Sequence, residues 1–527
     1  MAIQKIIHQI EKLIEIGIAL SAEKEFAKLL EKIVLGAKSI TNADGGSLFL
    51  TEDDMMVVKI FQSDGLGLSF NDCTNNFMDK PSVPLYAENG EPNLHNVVSY
   101  AYHKDKTVNI YDAYDTDHFD FSGTKKFDKQ YGYHSTSFLA IPLKNHLGET
   151  LGILELINAI DINTQEIVDF DPVSQRFVEA LASQAATVLT KQQLIGDLET
   201  MFESMIKLIA TAIDEKSPYT GAHCRRVPEL TMMIAEAAHN TDDGYLQNFQ
   251  LNDADRYELI TAGWLHDCGK ITTPEYVIDK ATKLEALFDR IDLLATRFEV
   301  LKRDAEIALL KQQLAEQQGN AQLSTTRQDQ LHSTISRLND DFAFIKHSNT
   351  GGEFMSDADI QRLTSLKALN WQLNNTDTAL LSDEELYNLT IRKGTLTTEE
   401  RQIINHHINA TIAMLSAIKF PKHLQKVTEY AGGHHERMDG TGYPNGLNRE
   451  QMSIPARVMA IADIFEALTA KDRPYKQGKK LSEALAILEQ MKTDNHIDPD
   501  LYEAFIAQKV YKTYAEMFLD AEQIDMD

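Results

Sequence analysis

The stretch His434-His435-Glu436-Arg437-Met438-Asp439-Gly440-Thr441-Gly442-Tyr443-Pro444-Asn445-Gly446 sets two adjacent imidazoles before a loop rich in glycine and proline. Paired imidazoles are borderline ligands for divalent transition metals. A Gly/Pro-rich loop turns sharply and lets backbone approach a ligand closely. Two histidines side by side are weak evidence by themselves. They gain weight from other residues of the same chemistry on both sides.

Those residues are His223, His266-Asp267, His406 or His407, and Asp463. His266-Asp267 and Asp463 sit in apolar helical stretches, Trp264-Leu265 before the first pair and Val-Met-Ala-Ile-Ala-Asp463-Ile-Phe around the second. A carboxylate buried in such a setting needs a partner, and a metal ion is a good one. The mixture suits Fe, Mn, Zn or Ni and requires no thiolate. It exceeds what one ion uses, so two ions are expected. A carboxylate can bridge ions roughly 3.5–4 Å apart, a pair that lowers the pKa of a water and clamps a phosphodiester for in-line attack. Lys270, Arg473 and Lys476 are then candidates for the phosphate oxygens.

A chain of 527 residues exceeds one ordinary core, so several units are expected. The charge of 51 − 79 = −28 argues against DNA or an anionic membrane as the main partner, while an anionic small molecule can still bind where metals and a few cations reverse the field. Three cysteines make no disulfide framework, no apolar run is long enough to span a membrane, and Met1-Ala2-Ile3-Gln4-Lys5 lacks a signal-peptide pattern. A cytoplasmic location is expected.

Residues 3 to 40 read as one helix, with Ile6, Ile7, Ile10, Leu13, Ile14 and Ile18 on one face. Strands are expected at 47–50, 56–60, 137–141 and 151–157. The stretch Asp128-Lys-Gln-Tyr-Gly-Tyr-His-Ser-Thr-Ser-Phe-Leu-Ala-Ile-Pro-Leu, with Gly152-Ile-Leu-Glu-Leu-Ile-Asn158, resembles a GAF domain, most of all those of cyclic-nucleotide phosphodiesterases. Those carry a Phe four residues before the Asp and a Glu after it; Thr124 and Lys129 stand here. The resemblance therefore implies an α+β sensor over 1–170 that either holds an unspecified small ligand or only dimerises.

Residues 171–213 read as one long helix, with Val178, Leu181, Ala185, Val188, Gln192 and Ile195 in 3-4 steps and Leu198, Phe202, Met205, Ile209 and Ala212 resuming after a stammer. A parallel coiled coil joining two copies is expected. Between 280 and 393 the stepping of Leu287, Ile291, Leu294, Phe298 and Leu301, then of Leu331, Ile335, Leu338, Phe342 and Ile345, predicts an inserted antiparallel helical hairpin. It looks like an insertion because Lys280-Ala-Thr-Lys-Leu284 is echoed by Lys393-Gly-Thr-Leu396.

His266-Asp267 with Gly269-Lys270, the opening stretch with its Gly442-Tyr443-Pro444, Asp463 and Arg473-Pro-Tyr-Lys476 together resemble the HD-GYP family of bacterial cyclic di-GMP phosphodiesterases. The resemblance implies an all-helical catalytic domain over 205–279 and 394–527, homodimeric through its linker and GAF domain. It implies two divalent ions, Fe or Mn. One is held by His223, His266, Asp267 and Asp463, the other by Asp267, His407, His434 and His435. His407 keeps the family's spacing better than His406, although the usual Pro after this ligand is Ile408 here. Members with a third metal have a carboxylate where Tyr219 stands. Asp267 and Lys270 take catalytic places, and Lys270, Tyr443, Arg473 and Lys476 contact substrate. Turnover of cyclic GMP-AMP and a non-catalytic binding scaffold are the alternatives.

Overall fold

The computed structural model describes residues 2–71, 82–216, 223–317, 325–352, 354–374, 376–470 and 478–526. The chain divides into two compact units, Met1–Met201 and Phe202–Asp527.

In the first unit the expected helix over 3–40 is two helices, α1 (Ala2–Ala22) and α2 (Phe26–Thr41). The break falls at Glu23, whose carboxylate accepts the backbone N–H groups of Lys24 and Glu25 at 2.9 and 3.1 Å. A side chain that bonds its neighbours' amides competes with the helical ladder. Most of the isoleucine stripe of α1 (Ile6, Ile7, Ile10, Ile14 and Ile18) is exposed rather than packed on the unit. The expected strands are β1 (Ala43–Glu52), β2 (Met55–Ser63), β6 (Phe138–Lys144) and β7 (Thr150–Ile160). They are completed by β3 (Leu68–Asn71), β4 (Ser82–Pro84), β5 (Val108–Ile110) and β8 (Ile167–Val168). The antiparallel sheet runs β3-β2-β1-β7-β6-β5. Alternation along the strands sends Leu48, Leu154 and Leu156 to one face, with α2 and the start of α5 (Pro172–Lys216). Phe49, Ile153 and Phe138 go to the other face, which α3 (Val97–Lys104) covers; α4 (Ser122–Tyr131) precedes β6.

The linker helix α5 is continuous over 45 residues. Val178, Leu181 and Ala185, expected on a coiled-coil seam, are fully buried in the unit's own core. The exposed stripe shares Leu198 and Met205 with the expected seam. Leu194, Leu198, Met201, Met205 and Leu208 are 54–68% exposed and step 4-3-4-3, with no stammer among them.

The second unit packs α6 (His223–His239), α7 (Asp253–Leu265), α14 (Val427–Gly432), α15 (Ile454–Thr469), α16 (Leu481–Thr493), α17 (Pro499–Ala507) and α18 (Val510–Phe518) around one apolar core. Between α7 and α14 lie α8 (Glu275–Ile278), α9 (Ile291–Gln317), α10 (Thr325–Asn349), α11 (Asp357–Lys367), β9 (Asn370–Leu373), β10 (Thr376–Ala379), α12 (Asp383–Leu389) and α13 (Thr398–Ser416). α13 starts at a capping box in which Thr397 and Glu400 exchange side-chain and backbone bonds. α15 is the central helix and is buried on most sides: Val458 to Ala462 are at most 1% exposed.

The insertion is more than a hairpin. α9 and α10 share a core (Leu294, Phe298, Leu338, Ile345) with α11, α12 and the loop residues Leu380 and Leu381, while β9 and β10 form a two-stranded ribbon. The echoed segments meet at its base, where Thr395 Oγ1 donates to the Lys280 carbonyl at 2.9 Å and Lys280 Nζ reaches Glu400 and Asn388 at 2.8 and 2.9 Å. Because this core is separate from that of the surrounding helices, deleting residues 283–390 is expected to leave the second unit folded. The lost Asn388 bond to the Lys280 ammonium costs about 2 kcal/mol. Circular dichroism and thermal melting of the deletion variant check this; a variant without cooperative melting would show that the insertion scaffolds the domain.

Candidate metal centre

Five helix ends or faces converge. His223 lies in α6, His266 and Asp267 follow α7 and precede the 3-10 turn Cys268–Thr272, and His407 lies within α13. His434 and His435 follow α14, and Asp463 sits in the middle of α15. The ligand atoms of His223, His266, Asp267 and Asp463 all lie within 4.8 Å of one another, and so do those of His407, His434 and His435. His406, the other candidate at its position, is exposed, whereas His407 is 3% exposed.

Asp267 lies between the two groups. Its Oδ2 is 3.2 Å from both His223 Nε2 and His266 Nε2, while its Oδ1 is 3.3 Å from His407 Nε2. Asp463 Oδ1 closes the first group at 3.2 Å from His223 Nε2.

Orientation of the rings follows from their second nitrogens. The Nδ1 of His266 lies 2.6 Å from the Gly263 carbonyl, that of His434 lies 2.7 Å from the Ala431 carbonyl, and that of His407 contacts the Ile404 carbonyl. A carbonyl only accepts, so each Nδ1 carries the proton and each Nε2 presents a lone pair inward. The Nε2 atoms of His223 and His266 stand 3.3 Å apart. Asp267 Oδ1, His407 Nε2 and His434 Nε2 are buried with no hydrogen-bond partner. Buried lone pairs aimed at one another are costly without a cation, and this donor set fits divalent metal ions.

The electrostatics agree. Burial pushes His435 down to about 4 and His434 well below the usual imidazole range, so both are neutral donors. Burial alone would raise Asp267, yet Lys270 and the neighbouring imidazoles hold it well below the carboxylate range. Burial would lower His223, but the Glu466, Asp267 and Asp463 carboxylates hold it well above.

The glycine-rich loop is tied down by Glu436, which is fully buried and accepts from Asn445 N–H at 2.7 Å and Leu447 N–H at 2.9 Å. A Cβ on Gly442 would lie 2.4 Å from the Arg437 nitrogen, so the turn requires glycine there. Held this way, the Tyr443 ring stacks on His435 at 4.8 Å and 25°. A cavity of about 240 Å³ opens onto the centre, with Lys270, His435, Tyr443 and Asp463 in its wall. Lys270 Nζ contacts Asp267 Oδ2. Cys268 is buried and packs in the core. Arg473, Lys476 and Tyr219 lie outside the described residues.

Glu436, Glu466 and Arg226 are the site residues that sequence reasoning missed. One signal was available. Arg226 follows His223 by three, and Glu466 follows Asp463 by three, which puts each on the same helical face as a ligand candidate.

Comparison with known proteins identifies two domains. Residues 25–189 match the GAF domain family and residues 380–501 match the HD domain family. The chain thus joins a GAF domain to an HD domain, as the HD-GYP resemblance implies, and HD domains are metal-dependent phosphohydrolases. Among curated relatives, it is 37% identical over 388 residues to a 3′3′-cGAMP-specific phosphodiesterase of Vibrio cholerae, covering 69% of this chain and 56% of that one. It is 35% identical over 134 residues to a cyclic di-GMP phosphodiesterase of Pseudomonas aeruginosa (25% and 31% covered). A cyclic di-GMP phosphodiesterase of Thermotoga maritima matches at 37% over 118 residues (22% and 31% covered). The chain spans from just under a third to just over half of these relatives' lengths. Among the described residues, no helix is long and apolar enough to cross a membrane.

Proposed function

We propose that the chain is a metal-dependent phosphodiesterase that opens cyclic di-GMP to pGpG and on to GMP, under control of its GAF domain. The observation that carries this reading is Asp267, whose two oxygens face two separate ligand groups. One ion is held by His223, His266, Asp267 and Asp463, and a second by Asp267, His407, His434 and His435, with Fe or Mn suited to both. Bound there, the ions supply an acidified water and charge stabilisation for in-line attack on a phosphodiester.

The chain's own groups do the rest. Lys270 carries an ammonium on the cavity wall, where it can pair with phosphate oxygens, and Arg473 and Lys476 are assigned the same task from their place in the sequence. The Tyr443 ring, fixed over His435, offers a flat face for a guanine. With a net charge of −28, substrate capture relies on this local pocket rather than on long-range attraction.

Cyclic GMP-AMP is the second reading, favoured by the Vibrio cholerae relative, which aligns with 69% of the chain. Comparing kcat/KM for cyclic di-GMP and 3′3′-cGAMP on the same reconstituted protein decides between them. A ratio above one supports cyclic di-GMP, a ratio well below one moves the assignment to cGAMP, and turnover of neither sinks both.

A homodimer is part of the proposal, supported by the exposed heptad stripe of α5. Lysine at Leu198 and Met205 together is expected to convert a dimer to monomers in sedimentation; an unchanged mass would place any dimer contact elsewhere.

A further inference from the structure

His223 is held differently from three other histidines of the centre. His266, His407 and His434 each direct Nδ1 to a carbonyl three residues back, within the preceding turn of their own chain. His223, in α6, is oriented by a side chain. Its Nδ1 instead contacts Glu466 Oε2 from α15. Glu466 is fully buried, and its other oxygen takes Arg226 Nε and Nη2, each at 2.7 Å. Two pairs spaced by three residues thus interlock, His223 and Arg226 on α6 with Asp463 and Glu466 on α15.

A carboxylate is a stronger acceptor than a carbonyl. It fixes the Nδ1–H tautomer, holds the ring plane and raises the basicity of Nε2. We propose that Glu466, anchored by Arg226, is a positioning residue that makes the His223 group the tighter of the two metal sites, so that the sites load in order. This rests on the two-ion reading above.

The test is titration of the metal-stripped full chain with Mn(II), counting free ion by electron paramagnetic resonance. The unsubstituted chain is expected to take up two ions with unequal affinities. Glu466→Gln is expected to weaken the tighter site by about 10–100-fold and leave the weaker one unchanged. Arg226→Met, which keeps the carboxylate but frees it to turn, is expected to weaken the same site less, and it serves if Glu466→Gln does not fold. In a His435→Ala background, which spares the His223 group, the weakening by Glu466→Gln should persist. Unchanged affinities in both variants would overturn the proposal. So would an equal fall at both sites accompanied by a lower melting temperature, since that is a general structural role. If the unsubstituted chain takes up fewer than two ions, the two-ion reading fails and the inference fails with it.

Discussion

Asp267→Ala is expected to abolish turnover and empty the centre. The Asp267 side chain reaches both ligand groups, with Oδ2 toward His223 and His266 and Oδ1 toward His407. On the proposed two-ion reading its loss would remove a ligand from each ion, and it leaves Lys270, His223 and His266 without their shared anion. A metal ion contributes several kcal/mol of transition-state stabilisation, and each 1.4 kcal/mol is about a tenfold change, so the rate should fall by roughly a thousandfold or more. Elemental analysis should show both ions diminished. A variant that keeps its full metal content but loses activity would assign Asp267 a different role.

Gly269→Ala is expected to be nearly as damaging, through packing rather than ligation. A Cβ there would lie 2.0 Å from the His407 carbonyl oxygen and 2.5 Å from the Thr411 nitrogen, both backbone atoms of α13. The Gly269 N–H also donates to Thr411 Oγ1 at 2.9 Å, which clamps the turn after Asp267 onto the helix that carries His407. Overpacking costs about 1–3 kcal/mol, and contact with backbone that cannot rotate away puts this case at the upper end. α13 must move outward, which takes His407 from Asp267. The expected result is a lower melting temperature together with loss of one ion per chain. A variant with both properties intact would mean that the two elements are not held this closely.

Much of this centre could be read from residue types, because a carboxylate in an apolar stretch is expensive unless something binds it; the His266-Asp267 pair falls in the turn after α7 rather than inside a helix. The choice of His407 over His406 came from spacing implied by the family resemblance, and burial places the former in the second group. Glu466 and Glu436 could not be read in this way. A glutamate in a helix or loop looks like a solvated residue until tertiary structure buries it, and both are fully buried. The same limit explains α5. Periodicity tells which residues share a face but not what covers it: Val178 and Leu181 serve the GAF core, whereas Leu198 and Met205 of the same expected seam are exposed. The break after α1 carries no glycine or proline, so nothing local marked it. In the insertion the long stepping of α9 and α10 was legible. β9 and β10 are four residues each and gave no pattern long enough to count.

The most direct test of the central claim joins two quantities in one sample, metal ions per chain and cyclic di-GMP hydrolysed. The protein would be purified without oxygen and reconstituted with Fe(II) or Mn(II). The account predicts pGpG or GMP formation that rises with metal content and saturates at about two ions per chain. No hydrolysis of cyclic di-GMP with both ions bound would contradict it.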